Sequence, residues 1–292
     1  MPRAILLKTK SVPDDPYDTA FREKTPLIPV FVPVLVHQRV NESQLRSILE
    51  NEPHEHYTAL IITSQRAVEA IDDASKTLSG ISSSRVSLMI EQQLRRLRGM
   101  TVYTVGPATA LALTKLHFST IVGADTGNGT VLANLIVQTF RRDHPLPPSS
   151  SHLQSETPSP STSINPPQKP LLFLVGDKRR DIIPNRLASE NIPLEELTVY
   201  ETTVASTFDE ELDQVMKDTR DGEIEWIVFF SPSGAEVALE KMKRMENKIK
   251  VATIGPTTEE YLRKEWGIVP DMVARKPEPV SMVQGILESM DR

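Results

Sequence analysis

Two phrases of the chain repeat in the same order. "ALIITSQRAVEAI" (59–71) and "WIVFFSPSGAEVAL" (226–239) each run from an apolar stretch through a serine and a short polar turn into a helix start containing alanine. Downstream of the first comes "VYTVGPATALAL" (102–113), and downstream of the second comes "VATIGPTTEEYL" (251–262). Both read as apolar strand, Gly-Pro, a small residue, Thr, then helix. Two matched phrases in one order predict two copies of one α/β unit. The 20–50-residue period of a solenoid is absent.

The spacing of the other segments agrees. Strand-like runs recur at Ala4–Leu7, Pro29–Val36, Ala59–Thr63, Thr101–Val105, Leu171–Val175, Glu195–Tyr200, Trp226–Phe230 and Val251–Ile254. They are short, continuous and β-branched, as expected of strands buried on both faces of a parallel sheet. Helical patterns lie among them at Gln65–Leu78, Thr109–Leu116, Gly129–Thr139, Asn185–Glu190, Ser233–Met245 and Thr257–Glu265. This alternation predicts α/β architecture with doubly wound parallel sheets. A lysine-bearing loop follows both Ala4–Leu7 and Leu171–Val175, so the N-terminal strand fits either copy's domain.

The stretch 145–170 breaks the pattern. Pro, Ser and Thr supply 17 of its 26 residues. No periodic apolar face is present to offset the entropy of ordering it, so it reads as a disordered insertion. A chain of 292 residues holds one large domain or two ordinary ones. The N-terminal apolar run is too short for a signal peptide, and no stretch is long enough to span a membrane. With no cysteine, disulfides and thiolate metal sites are excluded. The expected location is cytoplasmic. A net charge of −6 argues against a nucleic-acid partner while leaving room for an anionic small ligand at a local basic site.

Doubly wound sheets bind ligands at the carboxyl ends of their strands, where helix N-termini attract anions. The repeated phrases fall there: Ser64 and Arg66, Thr109, Ser231 and Ser233, Thr257 and Thr258. Helix capping alone also accounts for Ser and Thr at such turns. Basic residues near the turns are Lys8, Arg66, Lys250 and the run Lys178-Arg179-Arg180, whose flanking acids partly neutralise it. "GADTGNGT" (123–130) resembles a phosphate loop only loosely and lacks its lysine. "HEH" (54–56) offers two metal ligands without a third, so no metal or other cofactor is expected. Tyr200 ends a strand-like run. A tyrosine can pack there with its hydroxyl satisfied, or can donate a proton to a poor leaving group.

In their order, "ILLKTK", "DPY", "IPVFVPVL", "TSQRAVEA", "VYTVGPATA", "GNGTVL", "LLFLVGD", "PLEELTVYET", "FFSPSGA" and "IGPTT" resemble the uroporphyrinogen-III synthase family, most closely its eukaryotic members. The resemblance covers nearly the whole chain, with 145–170 outside every motif. It implies two α/β domains, residues 1–37 with 200–292 and residues 38–199, joined by two extended linkers with the active site in the cleft. It implies a cyclising hydro-lyase of porphyrin biosynthesis acting on hydroxymethylbilane, a linear tetrapyrrole bearing eight carboxylates. Loss of the hydroxymethyl oxygen as water gives an azafulvene cation. Attack by the substituted carbon of ring D forms a spiro intermediate, and fragmentation and reclosure invert that ring. Tyr200 matches the family's candidate acid. Thr109, Ser231, Thr258 and Lys250 match its cleft positions, and Ser64 and Arg66 match its first turn. Ser233 and Thr257 join them as substrate-binding candidates. The expected partner is the small substrate alone, handed over by the preceding pathway enzyme to a monomer. The rival is a non-catalytic tetrapyrrole- or anion-binding sensor of the same fold.

Overall fold

A computed structural model of the chain describes residues 2–79, 84–145, 168–217, 224–242 and 249–291. The described strands, in chain order, are β1 (Arg3–Leu7), β2 (Ile28–Phe31), β3 (Leu35–Arg39), β4 (Leu60–Ile62), β5 (Thr101–Tyr103), β6 (Thr120–Val122), β7 (Leu171–Gly176), β8 (Leu194–Val204), β9 (Ile224–Phe229), β10 (Lys250–Thr253) and β11 (Met272–Val273). The helices are α1 (Pro16–Lys24), α2 (Glu42–Glu50), α3 (Pro53–His56), α4 (Gln65–Ser79), α5 (Ser84–Gly99), α6 (Pro107–Lys115), α7 (Gly129–Asp143), α8 (Ile182–Ala188), α9 (Phe208–Lys217), α10 (Pro232–Met242), α11 (Pro256–Trp266) and α12 (Pro279–Met290).

The chain divides into two compact units, Met1–His37 with Thr203–Arg292 and Gln38–Thr202. The sheet of the first has the order β11-β10-β9-β1-β2, with every neighbouring pair parallel. The second has the order β3-β8-β7-β4-β5-β6. Setting β3 aside, the two orders are the same arrangement entered by the chain at different points. In it β7 corresponds to β1, β8 to β2, β4 to β9, β5 to β10 and β6 to β11. The repeated phrases therefore follow equivalent strands, and "ILLKTK" is the counterpart of "LLFLVGDKRR". Each sheet reverses its winding once, between β1 and β9 in the first unit and between β7 and β4 in the second. Such switch points open a crevice at the carboxyl ends of the strands.

Both sheets are covered on both faces. Along β1, Ala4 and Leu6 join one buried cluster while Ile5 and Leu7 join another. Along β7, Leu172 and Leu174 face one cluster, and Leu171, Phe173 and Val175 face the other. Period-two side-chain alternation into two apolar layers explains why these strands read as unbroken apolar runs.

Several boundaries differ from the sequence expectation. The run Pro29–Val36 is two strands in different sheets, β2 and β3. Pro33 lies between them, with a fixed φ and no N–H to give a ladder. The last strand of the second unit is the 11-residue β8, longer than Glu195–Tyr200. Helix α8 starts at Ile182 and ends at Ala188, upstream of the expected Asn185–Glu190, with Pro184 in its first turn, where a missing N–H costs nothing. Residues 146–167 of the proline-rich stretch, and the end of the expected helix Ser233–Met245, lie outside the described residues.

Candidate functional site

At the switch point of the second unit lies a pocket of about 600 Å³. Phe173, Leu174 and Val175 of β7 form its floor, and Ile182 and Val131 add apolar side chains that remain 37% and 47% exposed. Its polar lining comes from three turns. After β4, Ser64 accepts the N–H of Arg66 on Oγ at 3.2 Å. Its hydroxyl proton is not used by that cap and can still be donated to a ligand. Before α7, Asn128 caps the helix, its Oδ1 accepting the N–H groups of Thr130 and Val131 at 3.0 Å each. After β7 come Lys178, Arg179 and Arg180.

These three cations are not equivalent. Arg179 is held by Asp181 and by Glu196 at 2.5 Å. Lys178 and Arg180 form no ion pair among the described residues and line the pocket with their charge unspent. Two free cations and the positive end of a 15-residue helix make an anion-attracting rim.

Tyr200 lines the same pocket, from β8. Its backbone is displaced by an irregularity in the ladder: Val175 pairs with Thr198, but Gly176 pairs with Tyr200. One residue of β8 is thus skipped, as in a β-bulge, a device that re-aims a side chain.

In the first unit Ser231 caps α10, its Oγ accepting the N–H of Gly234 at 3.0 Å. Ser233 is half-buried beside it, and Thr257 is exposed in the first turn of α11. Thr258 is buried at 2% exposure, and its counterpart Thr109, in α6, at 6%. Ser231, Ser233, Thr257 and Thr258 therefore share the carboxyl ends of neighbouring strands β9 and β10. Lys250 does not join them. It opens β10 at the amino end of the sheet, where its Nζ lies 5.3 Å from the Trp226 ring centre and 3.4 Å from the Ser289 carbonyl. In a parallel sheet the two ends of a strand face opposite ways, which removes Lys250 from this group. In the second unit Ser64 and Tyr200 share the pocket; Arg66, exposed on α4, and Thr109 do not line it.

Lys8, at the carboxyl end of β1, is spoken for. Its ammonium bonds Asp15 and lies within 5.2 to 5.9 Å of the ring centres of Phe31, Tyr17 and Phe230. Asp15 also caps α1 and accepts N–H bonds from Ser11 and Tyr17, both at 2.8 Å. Burial is the largest influence on its carboxyl and pushes the pKa up. The Lys8 bond and those N–H groups outweigh it and hold the value at about 2. The "HEH" residues form most of the short helix α3, where His54 meets Glu55 at 3.3 Å. Among the described residues no three His, Cys, Asp or Glu side chains converge as a metal site would need.

Ser64 and Tyr200 are legible as candidates in the sequence, whereas the turn before α7 shows there only a loose likeness to a phosphate loop. The signal was present in Asn128-Gly129-Thr130, an N-cap ahead of an apolar helix face. Its place in the pocket depends on β6 lying at the sheet edge, which no local pattern reveals.

Fold and pocket together define a doubly wound α/β protein of two matched units, with a cationic, part-apolar ligand pocket at a strand switch point. The family model described as "Uroporphyrinogen-III synthase HemD" matches residues 15–284. The chain is 36% identical over 287 residues to the uroporphyrinogen-III synthase of Schizosaccharomyces pombe, covering 98% of this chain and 97% of that protein. It is 33% identical over 293 residues to that of Saccharomyces cerevisiae, covering 97% and 95%. Among solved structures, uroporphyrinogen-III synthetase from Helicobacter pylori superposes with a TM-score of 0.55 at 18% identity, over 99% of both chains, a likeness of fold. The chain belongs to the uroporphyrinogen-III synthase family.

Proposed function

We infer that this chain is the cyclising hydro-lyase of its family, converting hydroxymethylbilane to uroporphyrinogen III in tetrapyrrole biosynthesis. The reaction needs a proton for the departing hydroxyl, partners for the substrate's carboxylates, and a surface that holds the ends of a flexible chain in reach of each other. Holding reacting ends together removes an entropic barrier that a linear tetrapyrrole otherwise meets in solution. The observation that carries this reading is one pocket lined at once by a phenol, a hydroxyl and two free cations over an apolar floor. Pyrrole rings suit the floor, and acetate and propionate groups suit the rim.

In this reading Tyr200 donates the proton with which the hydroxyl leaves as water, and the azafulvene cation that remains is attacked by the substituted carbon of ring D. Ser64, Lys178 and Arg180 receive carboxylates. Ser231, Ser233 and Thr257 serve as further carboxylate partners from the turns of the first unit. Arg66 acts from the exposed first turn of α4. Thr109 and Thr258, both buried, support their turns. Lys250 has no part, since its ammonium is engaged at the other end of its sheet. The two compact units are the two domains of the enzyme. It works as a monomer in the cytoplasm and receives its substrate from the enzyme that makes it. No described helix is long and apolar enough to cross a membrane.

Product analysis tests the assignment. Hydroxymethylbilane left alone closes to the type I isomer, so the enzyme is expected to yield type III, resolved after oxidation by chromatography. Type I alone, at the uncatalysed rate, would contradict the assignment.

A further inference from the structure

The irregularity at the end of β7 points to residues that act through Tyr200. A side-chain carbon built on Gly176 would lie 2.4 Å from Tyr200 Cζ, 2.5 Å from Cε2 and 2.7 Å from Oη. All three distances are far inside van der Waals contact, and all three atoms belong to the phenolic edge of the ring. The φ of Gly176 is not in the left-handed region, so glycine is not required there by its backbone. Its missing side chain is the space the phenol occupies. The next residue fastens the strand that carries the ring. The backbone N–H of Asp177 donates to the Tyr200 carbonyl at 3.1 Å, and its Oδ1 accepts the N–H of Thr202 at 3.1 Å. Asp177 therefore grips β8 on both sides of Glu201, just past the skipped residue.

We propose that Gly176 and Asp177 are positioning residues for the reaction, Gly176 seating the phenol of Tyr200 and Asp177 fixing the bulged strand that presents it. The proposal rests on Tyr200 being the proton donor. Purely structural packing would explain a tight glycine, but not why the atoms it admits are the hydroxyl end of the one phenol in the pocket. Any side chain at 176 drives that hydroxyl from its place while leaving Ser64, Lys178 and Arg180 where they are. The consequence is a defect in turnover and not in substrate binding.

The test is steady-state kinetics on the full chain, with isomer analysis and melting temperature, for Tyr200→Phe, Gly176→Ala and the two combined. Gly176→Ala is expected to lower kcat by roughly tenfold to a hundredfold, the scale of a lost general acid, with KM little changed. In the Tyr200→Phe background it should lower kcat no further, because the hydroxyl is already gone. Its cost in melting temperature should persist there, because the ring still meets the added methyl. Losses of kcat that multiply in the double variant would overturn the positioning role, as would full activity of Gly176→Ala beside an impaired Tyr200→Phe. Full activity of Tyr200→Phe, with type III product, would instead remove the tyrosine's role on which the proposal rests. If Gly176→Ala does not fold, Asp177 decides. Asp177→Asn keeps an acceptor for the Thr202 N–H and should retain kcat, whereas Asp177→Ala should lose it at unchanged KM. Equal kcat in those two variants would overturn the proposal.

Discussion

The two units put a lysine after equivalent strands of the switch point, β1 and β7, and use it in opposite ways. In the first unit Lys8 is neutralised by a buried carboxylate and surrounded by three aromatic rings. In the second, Lys178 and Arg180 face a 600 Å³ pocket with no carboxylate taken up, while Arg179 alone is held in ion pairs. One architecture thus supplies a structural cation in one copy and ligand-facing cations in the other. The difference lies in the aspartate that precedes the next helix: Asp15, ahead of α1, is buried and bonds Lys8, whereas its counterpart Asp181, ahead of α8, is exposed and pairs with Arg179. Charge at a strand end is therefore a weak guide to function until its partner is known.

This contrast predicts that changes around Lys8 in the first unit cost stability and changes around Lys178 and Tyr200 in the second cost activity. The largest effect is expected from Asp15→Ala, which leaves Lys8 unpaired and removes the cap of α1. A loss of about 3 kcal/mol in urea unfolding is expected, with activity per folded molecule unchanged. Reduced turnover at unchanged stability would break the comparison. Tyr200→Phe should slow type III formation by roughly tenfold to a few hundredfold with KM nearly intact, the range for a general acid whose leaving group is already pushed out by the pyrrole nitrogen. Unfolding midpoints would show little change.

Acid sharpens the same distinction. Folding holds the Asp15 carboxyl at about 2, below its ordinary 3.8. A depressed carboxylate adds stability that is complete above the unfolded value and is lost as pH falls through the folded one. The contribution is on the order of 1–2 kcal/mol, disappearing between about pH 4 and pH 2. Urea midpoints of the parent and Asp15→Asn should converge across that window; parallel curves would contradict the linkage. The smallest effect is expected from deleting residues 146–167. These residues lie outside every family motif, and halving the length of a connection changes closure entropy by only about 0.6 kcal/mol, so melting temperature and turnover should hardly move. Lys169 and Pro170 should be kept, since their carbonyls accept bonds from Thr58.

The repeated phrases made the α/β class and the pairing of equivalent turns legible, because buried parallel strands and the turns after them leave a local pattern. Other features rest on distant partners. The split of 29–36 into β2 and β3 turns on Pro33 together with two sheets that only the folded chain defines. Helix α1 opens at Asp15-Pro16, a cap signal that lies inside the family motif "DPY". Lys8 and Lys178 look alike in sequence, and what separates them is a bond from Lys8 to a carboxylate seven residues on. Arg179 was expected to share its charge with neighbouring acids, but its second partner, Glu196, comes from the next strand. Lys250 looked like a strand-end cation and is one, at the end of the sheet away from Ser231 and Thr258. The seat of Tyr200 on Gly176 depends on a register shift between β7 and β8, for which a single sequence carries no signal.

The central claim is that the pocket of the second unit receives the substrate's carboxylates through its two unpaired cations. The most direct measurement is the hydroxymethylbilane dependence of type III formation by Lys178→Gln/Arg180→Gln. Each lost charge-assisted contact is worth about 1.5 kcal/mol, so KM should rise at least about tenfold, with kcat and melting temperature near those of the parent. Unchanged KM in the double variant would contradict the claim.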